Sequence, residues 1–274
     1  MTRCGCWRSS TCWRPSRRWG LTRPIEEPPQ PISAIIFDAG GVLIHPNLDW
    51  ISARLAELGV ERGRDALHLD YYRMIAQADR EGFDRRGIAL INVETRTWML
   101  RYLLGEALPA EEIERVGPTI AELSVEQYPG EGALWYWAMP GRREQLLALR
   151  ELGYELAVAS NNDGSLEGQL ETTGLIDLFE VRLDSGVEGV SKPNPELLLR
   201  AARALQIPPG RCLYVGDLDR VDGAAARGAG MAFALLDPVG RPRETRPITI
   251  AALDEIPGLF PLAKGADGLT CTPS

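Results

Sequence analysis

An α/β protein with a doubly wound, mostly parallel sheet and an inserted all-helical domain is the fold class this sequence predicts. Three observations carry it. Short apolar runs bounded by turn residues alternate with helical patterns over most of the chain, and such alternation makes βαβ units and a parallel sheet. Three of the apolar runs end in a polar residue, at Asp38, at Ser160-Asn161 and at Asp217. Between the first run and the others, from about Pro46 to Leu134, only helical spacing is found. A helical block in that position is an insertion into the sheet domain, not a neighbour in tandem.

The elements follow in order. Pro28, Pro29 and Pro31 punctuate the start of the folded part. Ala34 to Phe37 reads as a buried strand, an apolar run ended by Asp and then Gly. "DWISARLAELG" repeats apolar residues at helical spacing and stops at Gly59. "DALHLDYYRMIAQADR" and "INVETRTWMLRYLL" continue with similar spacing, and "LPAEEIERVGPTIAEL" predicts two shorter helices broken around Gly117-Pro118. Pro140-Gly141 then opens the helix "RREQLLALRELG", followed by the strand "ELAVA", the helix "SLEGQLETTG" and the short strand "FEVRL". "NPELLLRAARALQI" is a helix and "CLYVG" a strand. "VDGAAARGAG" is a small-residue helix and "MAFALL" a last buried strand. The Pro- and Arg-rich tail from Gly240 adds a short strand and helix in "ITIAALDEIPGLF". The expected organisation is an extension over 1–31, a core over 32–45 and 136–262, a helical insert over 46–135 and a flexible tail over 263–274.

Composition narrows the function. The formal net charge of −8 disfavours a nucleic-acid binder, because phosphate backbones call for a basic face. No run of ~18 apolar residues exists, so no membrane span is expected. The first thirty residues stand apart, with Cys4, Cys6, Cys12, three tryptophans and six arginines before the first acid. They lack an apolar signal core. They read as a disordered extension or as translated sequence upstream of the true start; a transit peptide fits loosely, and the three cysteines match no zinc spacing well. Cys212 and Cys271 give no disulfide framework, which suits a reducing cytoplasm. A monomer or homodimer is expected.

In an open parallel sheet, ligands sit beyond the carboxyl ends of the strands. Asp38, Ser160 and Asp217 are expected at that edge, and a loop before a helix adds Ser191-Lys192-Pro193. Two carboxylates, a hydroxyl and an ammonium suit phosphoryl transfer. A carboxylate can attack phosphorus, facing carboxylates call for a cation such as Mg²⁺, and the hydroxyl and ammonium can hold phosphate oxygens. Taken singly, each has an ordinary reading: Asp38 starts a turn, Lys192 is a surface charge, Ser160 sits in a loop, and Asp217 caps a helix.

Jointly, the chain resembles the haloacid dehalogenase superfamily of hydrolases over residues 32 to 260. The resemblance lies in "IIFDAGGVL", "AVASNN", "SKPNPELL" and "YVGDLDRVDGAAARGAGM", in that order. It implies a Rossmann-like core, a type-one helical cap and Mg²⁺-dependent hydrolysis of a small phosphorylated metabolite. It also implies roles. Asp38 is the nucleophile and a metal ligand. Gly40 ligates through its carbonyl, Asp217 ligates directly, and Asp222 supports the metal, directly or through water. Ser160 and the backbone N–H of Asn161 bind phosphate, and Lys192 bridges phosphate and Asp38. The sequence departs from the family at Gly40, where an acid/base carboxylate usually stands, and at Leu218, where Ser or Thr is common. Losing a general acid costs ~10²–10⁴-fold. Three readings stay open. A phosphatase can use a good leaving group, or Asp219, His45 or a residue of the helical insert can stand in. A dehalogenase releases halide without a proton, although Asp217 argues for a metal. Last, the fold can persist as a binding module. "LWYW", Leu134 to Trp137, is expected to pack in the core or hinge.

Overall fold

The computed structural model describes residues 31–81, 93–105, 107–127, 135–240 and 247–263. Six strands form one sheet in which every neighbour is parallel. They are β1 (Ala34–Phe37), β4 (Glu155–Ser160), β5 (Val181–Asp184), β6 (Cys212–Gly216), β7 (Ala232–Leu236) and β8 (Ile248–Ile250), in the order β5-β4-β1-β6-β7-β8. β1 lies between β4 and β6, so the strand order reverses at its carboxyl end, where open α/β sheets bind ligands. The register pairs Phe37 with Val158 on one side and Val215 on the other. The residues just past these three strand ends therefore share one edge.

Period-two alternation sends side chains to two cores. Ile35, Phe37, Leu156, Val158, Leu213 and Val215 pack on one face. Ala34, Ile36, Ala157, Ala159, Cys212 and Tyr214 pack on the other, against α8 (Glu196–Ala204) and α9 (Ala224–Ala229). The first face also covers α5 (Arg142–Glu151) and α6 (Leu166–Thr172). α10 (Ile256–Leu259) packs there too, through Ile256. The fold is therefore the doubly wound α/β class that the alternation predicts. A short helix, α7 (Ser185–Glu188), was not anticipated; Asp184 caps it by accepting from the Gly186 N–H at 2.8 Å.

Among the described residues, four helices lie in sequence between β1 and α5. α1 (Leu48–Glu57) starts at Asn47, whose side chain accepts from the Trp50 N–H at 3.0 Å, and buries Leu48, Ile51 and Leu55. α2 (Arg64–Glu81) buries Leu67, Tyr71 and Ile75 along one stripe. α3 (Val93–Leu104) packs against α4 (Ala110–Gln127). Here one expectation is corrected: Gly117-Pro118 does not split α4 into two helices, and Pro118 lies inside it. The lost hydrogen bond is outweighed by burial of Ile113, Val116, Ile120 and Ala121 on both sides of the proline. The sequence reading also missed a pair of two-residue strands, β2 (Ile44–His45) and β3 (Trp137–Ala138), which pair antiparallel where the chain leaves the sheet and where it returns. Two residues are too few to show a period. Among the described residues no helix is long and apolar enough to cross a membrane. The expectations for residues 1–30 and 264–274 lie outside the described residues.

Candidate active site

Asp38 follows β1 and keeps the sheet pairing for one more step, its N–H donating to the Val215 carbonyl at 2.8 Å. Its Oδ1 takes three hydrogen bonds: from the Ala39 N–H at 2.8 Å, from the Ser160 hydroxyl at 2.7 Å and from the Lys192 ammonium at 2.9 Å. The three donors come from three different segments, so the carboxylate plane is fixed. The other oxygen takes no hydrogen bond among the described residues.

Lys192 is buried and bridges two acids, reaching Asp222 Oδ1 at 2.8 Å as well as Asp38. It also donates to the Tyr214 hydroxyl at 2.6 Å, which in turn donates to the Ala159 carbonyl at 2.8 Å. Burial opposes the charge on Lys192, but the carboxylates of Asp222 and Asp38 outweigh it and push its pKa up. Burial and the same acids push Tyr214 well above the ordinary phenol value, so it stays a donor. Burial also pushes the Asp222 carboxyl up, with Lys192 pulling the other way. Asn161 holds the lysine in place by a reciprocal clip. Its side-chain oxygen accepts from the Lys192 N–H at 2.8 Å, and its amide donates to the Lys192 carbonyl at 2.9 Å.

Asp217 directly follows β6 and is fully buried. Asp222 folds back beneath it and accepts from the backbone N–H groups of Asp217 and Leu218 at 3.1 and 3.0 Å. Gly216 makes this possible, because a Cβ there would lie 2.4 Å from Asp222 Oδ2. Asp38, Asp217 and Asp222 each offer an oxygen within 4.8 Å of the others. Their donors are all oxygen, and among the described residues the three face one ammonium. That set fits a small hard divalent cation better than a soft one.

The other expected residues fall in different places. Asp219 is buried and accepts from the Arg227 guanidinium at 2.8 Å. His45 lies in an aromatic group with His68, Tyr71, Tyr72 and Trp137, its Nε2 3.3 Å from the Tyr72 hydroxyl. Neither belongs to the acid cluster. Trp135 packs on Tyr71, and Trp137 packs on His45 and donates to Asp49 at 3.2 Å, which is the packing role expected for that run. Gly40 bridges to Ile44 and carries no side chain toward the acids.

The family model for haloacid dehalogenase-like hydrolases matches residues 32–230. The chain belongs to that family. A frog (Xenopus laevis) haloacid dehalogenase-like hydrolase domain-containing protein 3 is 31% identical over 162 residues, 59% of this chain. The chain spans 65% of that relative, just under two thirds of its length. A Mycobacterium tuberculosis protein named a phosphatase is 28% identical over 78% of this chain and 91% of its own. The crystal structure of YfnB, a hydrolase of the family from Bacillus subtilis, matches with a TM-score of 0.53 at 16% identity. The match covers 85% of this chain and all of that one, a likeness of fold.

Two features of this haloacid dehalogenase-like site were not foreseen. Gly41 has a φ of +83°, and a Cβ on it would fall 1.9 Å from Asp217 Oδ2 and 2.6 Å from the Tyr71 oxygen. The signal was in the sequence: a second consecutive glycine, three residues after the acid that follows a strand. Gly41→Ala is expected to cost about 1–3 kcal/mol for the backbone alone and to push Asp217 off the cluster. A thermal melt should fall by several degrees, together with activity; an unchanged melting temperature contradicts the crowding. The second feature is Tyr71 itself, whose hydroxyl donates to Asp217 Oδ2 at 3.3 Å from α2.

Proposed function

We propose that this hydrolase is a phosphatase that cleaves a small phosphorylated metabolite, with Asp38 as nucleophile and Mg²⁺ as its cation. The observation that carries the reading is the buried bridge of Lys192 between Asp38 and Asp222, set beside Asp217. A scaffold has no use for such an arrangement, because three buried acids around one lysine are expensive to keep.

Asp38, Asp217, Asp222 and the Gly40 carbonyl would hold the cation. Bound there, it would offset the charge of phosphate and acids as they approach. Asp38 attacks phosphorus with one oxygen while Ala39 and Lys192 hold the other. The phosphoester bond breaks and Asp38 carries the phosphoryl group until water displaces it. When phosphate enters, the Ser160 hydroxyl turns from Asp38 to a phosphate oxygen beside the Asn161 N–H, and Lys192 offsets the phosphate charge from its place between Asp38 and Asp222. Helices α1–α4, within residues 46–135, act as a cap over the core of 32–45 and 136–262, exclude water and choose the substrate. The Arg220 N–H, in the loop after Asp217, donates to Asp79 of α2 at 3.0 Å. With the Tyr71 bond, it supports a cap that docks on this loop.

Phosphate release from acyl, sugar and nucleoside phosphates should require Mg²⁺ and stop with EDTA. Acyl and anomeric sugar phosphates, whose leaving groups need little protonation, should be turned over best. Halide release from a 2-haloacid without metal would move the chain to dehalogenase chemistry instead.

A further inference from the structure

Resting on the phosphatase reading, we propose that Asp184 is a positioning residue that, through α7, sets the spacing of the groups that hold phosphate. Those groups come from two segments. Ser160 and the Asn161 N–H lie at the end of β4, and Lys192 lies in the loop after α7. Sheet pairing stops at Ser160, which stands opposite Asp184 of β5. Beyond that point the loop 161–165 and the residues 189–192 leave the sheet, and side chains tie them together.

Asp184 is buried, and both of its oxygens are used. Oδ1 accepts from the Gly164 N–H at 3.0 Å and from the Gly186 N–H at 2.8 Å. Oδ2 accepts from the Gly164 N–H at 3.0 Å and from the Leu166 N–H at 3.1 Å. An ionised carboxylate suits this place because it accepts at every site and carries no donor to oppose a backbone N–H. Ser185 adds a reciprocal pair: its hydroxyl accepts from the Asn162 N–H and donates to the Asn162 carbonyl, both at 3.0 Å. Gly186 permits the contact. A Cβ there would lie 2.8 Å from the Asp163 carbonyl carbon, and 3.0 Å from the Asn162 carbonyl oxygen and the Gly164 nitrogen. The start of α7 is thus pressed onto the phosphate loop with no room for a side chain between them.

The other end of α7 is held as well. Arg200 of α8 donates to the Glu188 carbonyl at 2.9 Å and to its carboxylate at 2.7 Å. Four residues after Glu188 comes Lys192, whose backbone is clipped by the Asn161 side chain. The contacts close a ring. It runs from Asn161 through the loop to Asp184, along α7 to Lys192, and back to Asn161. A shift at any point of the ring moves the Asn161 N–H relative to the Lys192 ammonium. Asp184 acts on phosphate through this ring and not at the reacting atoms, and small displacements of that kind are costly in an active site.

The test is affinity for inorganic phosphate, measured by titration calorimetry with Mg²⁺ present and well below every melting temperature. Wild type is compared with Asp184→Asn, Ser185→Ala and Gly186→Ala, and with Leu146→Ala as a control. Asp184→Asn keeps the shape but turns an amide NH₂ toward a backbone N–H. Gly186→Ala leaves the carboxylate in place and pushes α7 off the loop. Leu146 is buried in α5, outside the ring, so its truncation lowers stability alone. Phosphate should bind about 10-fold more weakly, or worse, in Asp184→Asn and Gly186→Ala, the scale of one charge-assisted hydrogen bond, and less so in Ser185→Ala. It should bind as in wild type in Leu146→Ala. The loss in kcat/KM should be the same on aryl, alkyl and sugar phosphomonoesters, since the phosphoryl group is common to all of them. Wild-type phosphate affinity in Asp184→Asn, or an equal loss in Leu146→Ala, overturns the proposal and leaves Asp184 a helix cap. A wild type that binds no phosphate and releases none from any ester, or that releases it equally well as Asp38→Asn, sinks the phosphatase reading and this proposal with it.

Discussion

Asp38→Asn is expected to lower turnover on the order of 10⁴-fold or more, the scale seen when a covalent nucleophile is removed, with the fold intact. The amide has the shape of the carboxylate, so its oxygen can still accept from Ala39, Ser160 and Lys192. What it lacks is charge and nucleophilicity at the open position. Phosphate release from the best substrate, read beside circular dichroism and a thermal melt, checks both halves. A folded variant with turnover near wild type would remove Asp38 from the chemistry.

Lys192→Ala is expected to damage both activity and stability. The ammonium is buried between Asp38 and Asp222 at 2.9 and 2.8 Å and leans on Tyr214. Removing one partner of a buried ionic group costs ~3–5 kcal/mol, because the remaining charge is left without compensation. For a chain of this size that lowers Tm by roughly 6–20 °C. Turnover should fall at least as far as the loss of a charge-stabilising donor implies, about 10²–10³-fold. Tm and kcat measured on the same preparation decide it. A melt within a degree or two of wild type would show that the acids do not depend on this lysine.

The sheet was legible because each strand is a local event. Four-to-six-residue apolar runs ending in Asp38, Ser160 and Asp217 carry both the strand and its edge, and a parallel sheet then brings those ends together. Lys192 was legible as a lysine in a loop, but its burial was not, since that depends on Asp222 and Tyr214. Asn161 was expected to offer a backbone N–H, and the structure adds a side-chain clip to Lys192 that no local pattern signals. Pro118 misled because local propensity points to a break, while packing on both sides keeps one helix. Tyr71 was hidden for the same reason as most long-range contacts. At helical spacing an aromatic reads as core, and its partner Asp217 is 146 residues away.

The three donors on Asp38 Oδ1 have a consequence for rate. A carboxylate on a single bond normally turns about Cβ–Cγ, and most of its orientations present no lone pair to an incoming phosphorus atom. Here Ala39, Ser160 and Lys192 stop that rotation before any substrate arrives. The rotational entropy is lost when the chain folds and does not have to be lost again at each turnover. The proposed nucleophile then behaves as a reactant at high effective concentration, held near its attack geometry by groups that are in place beforehand.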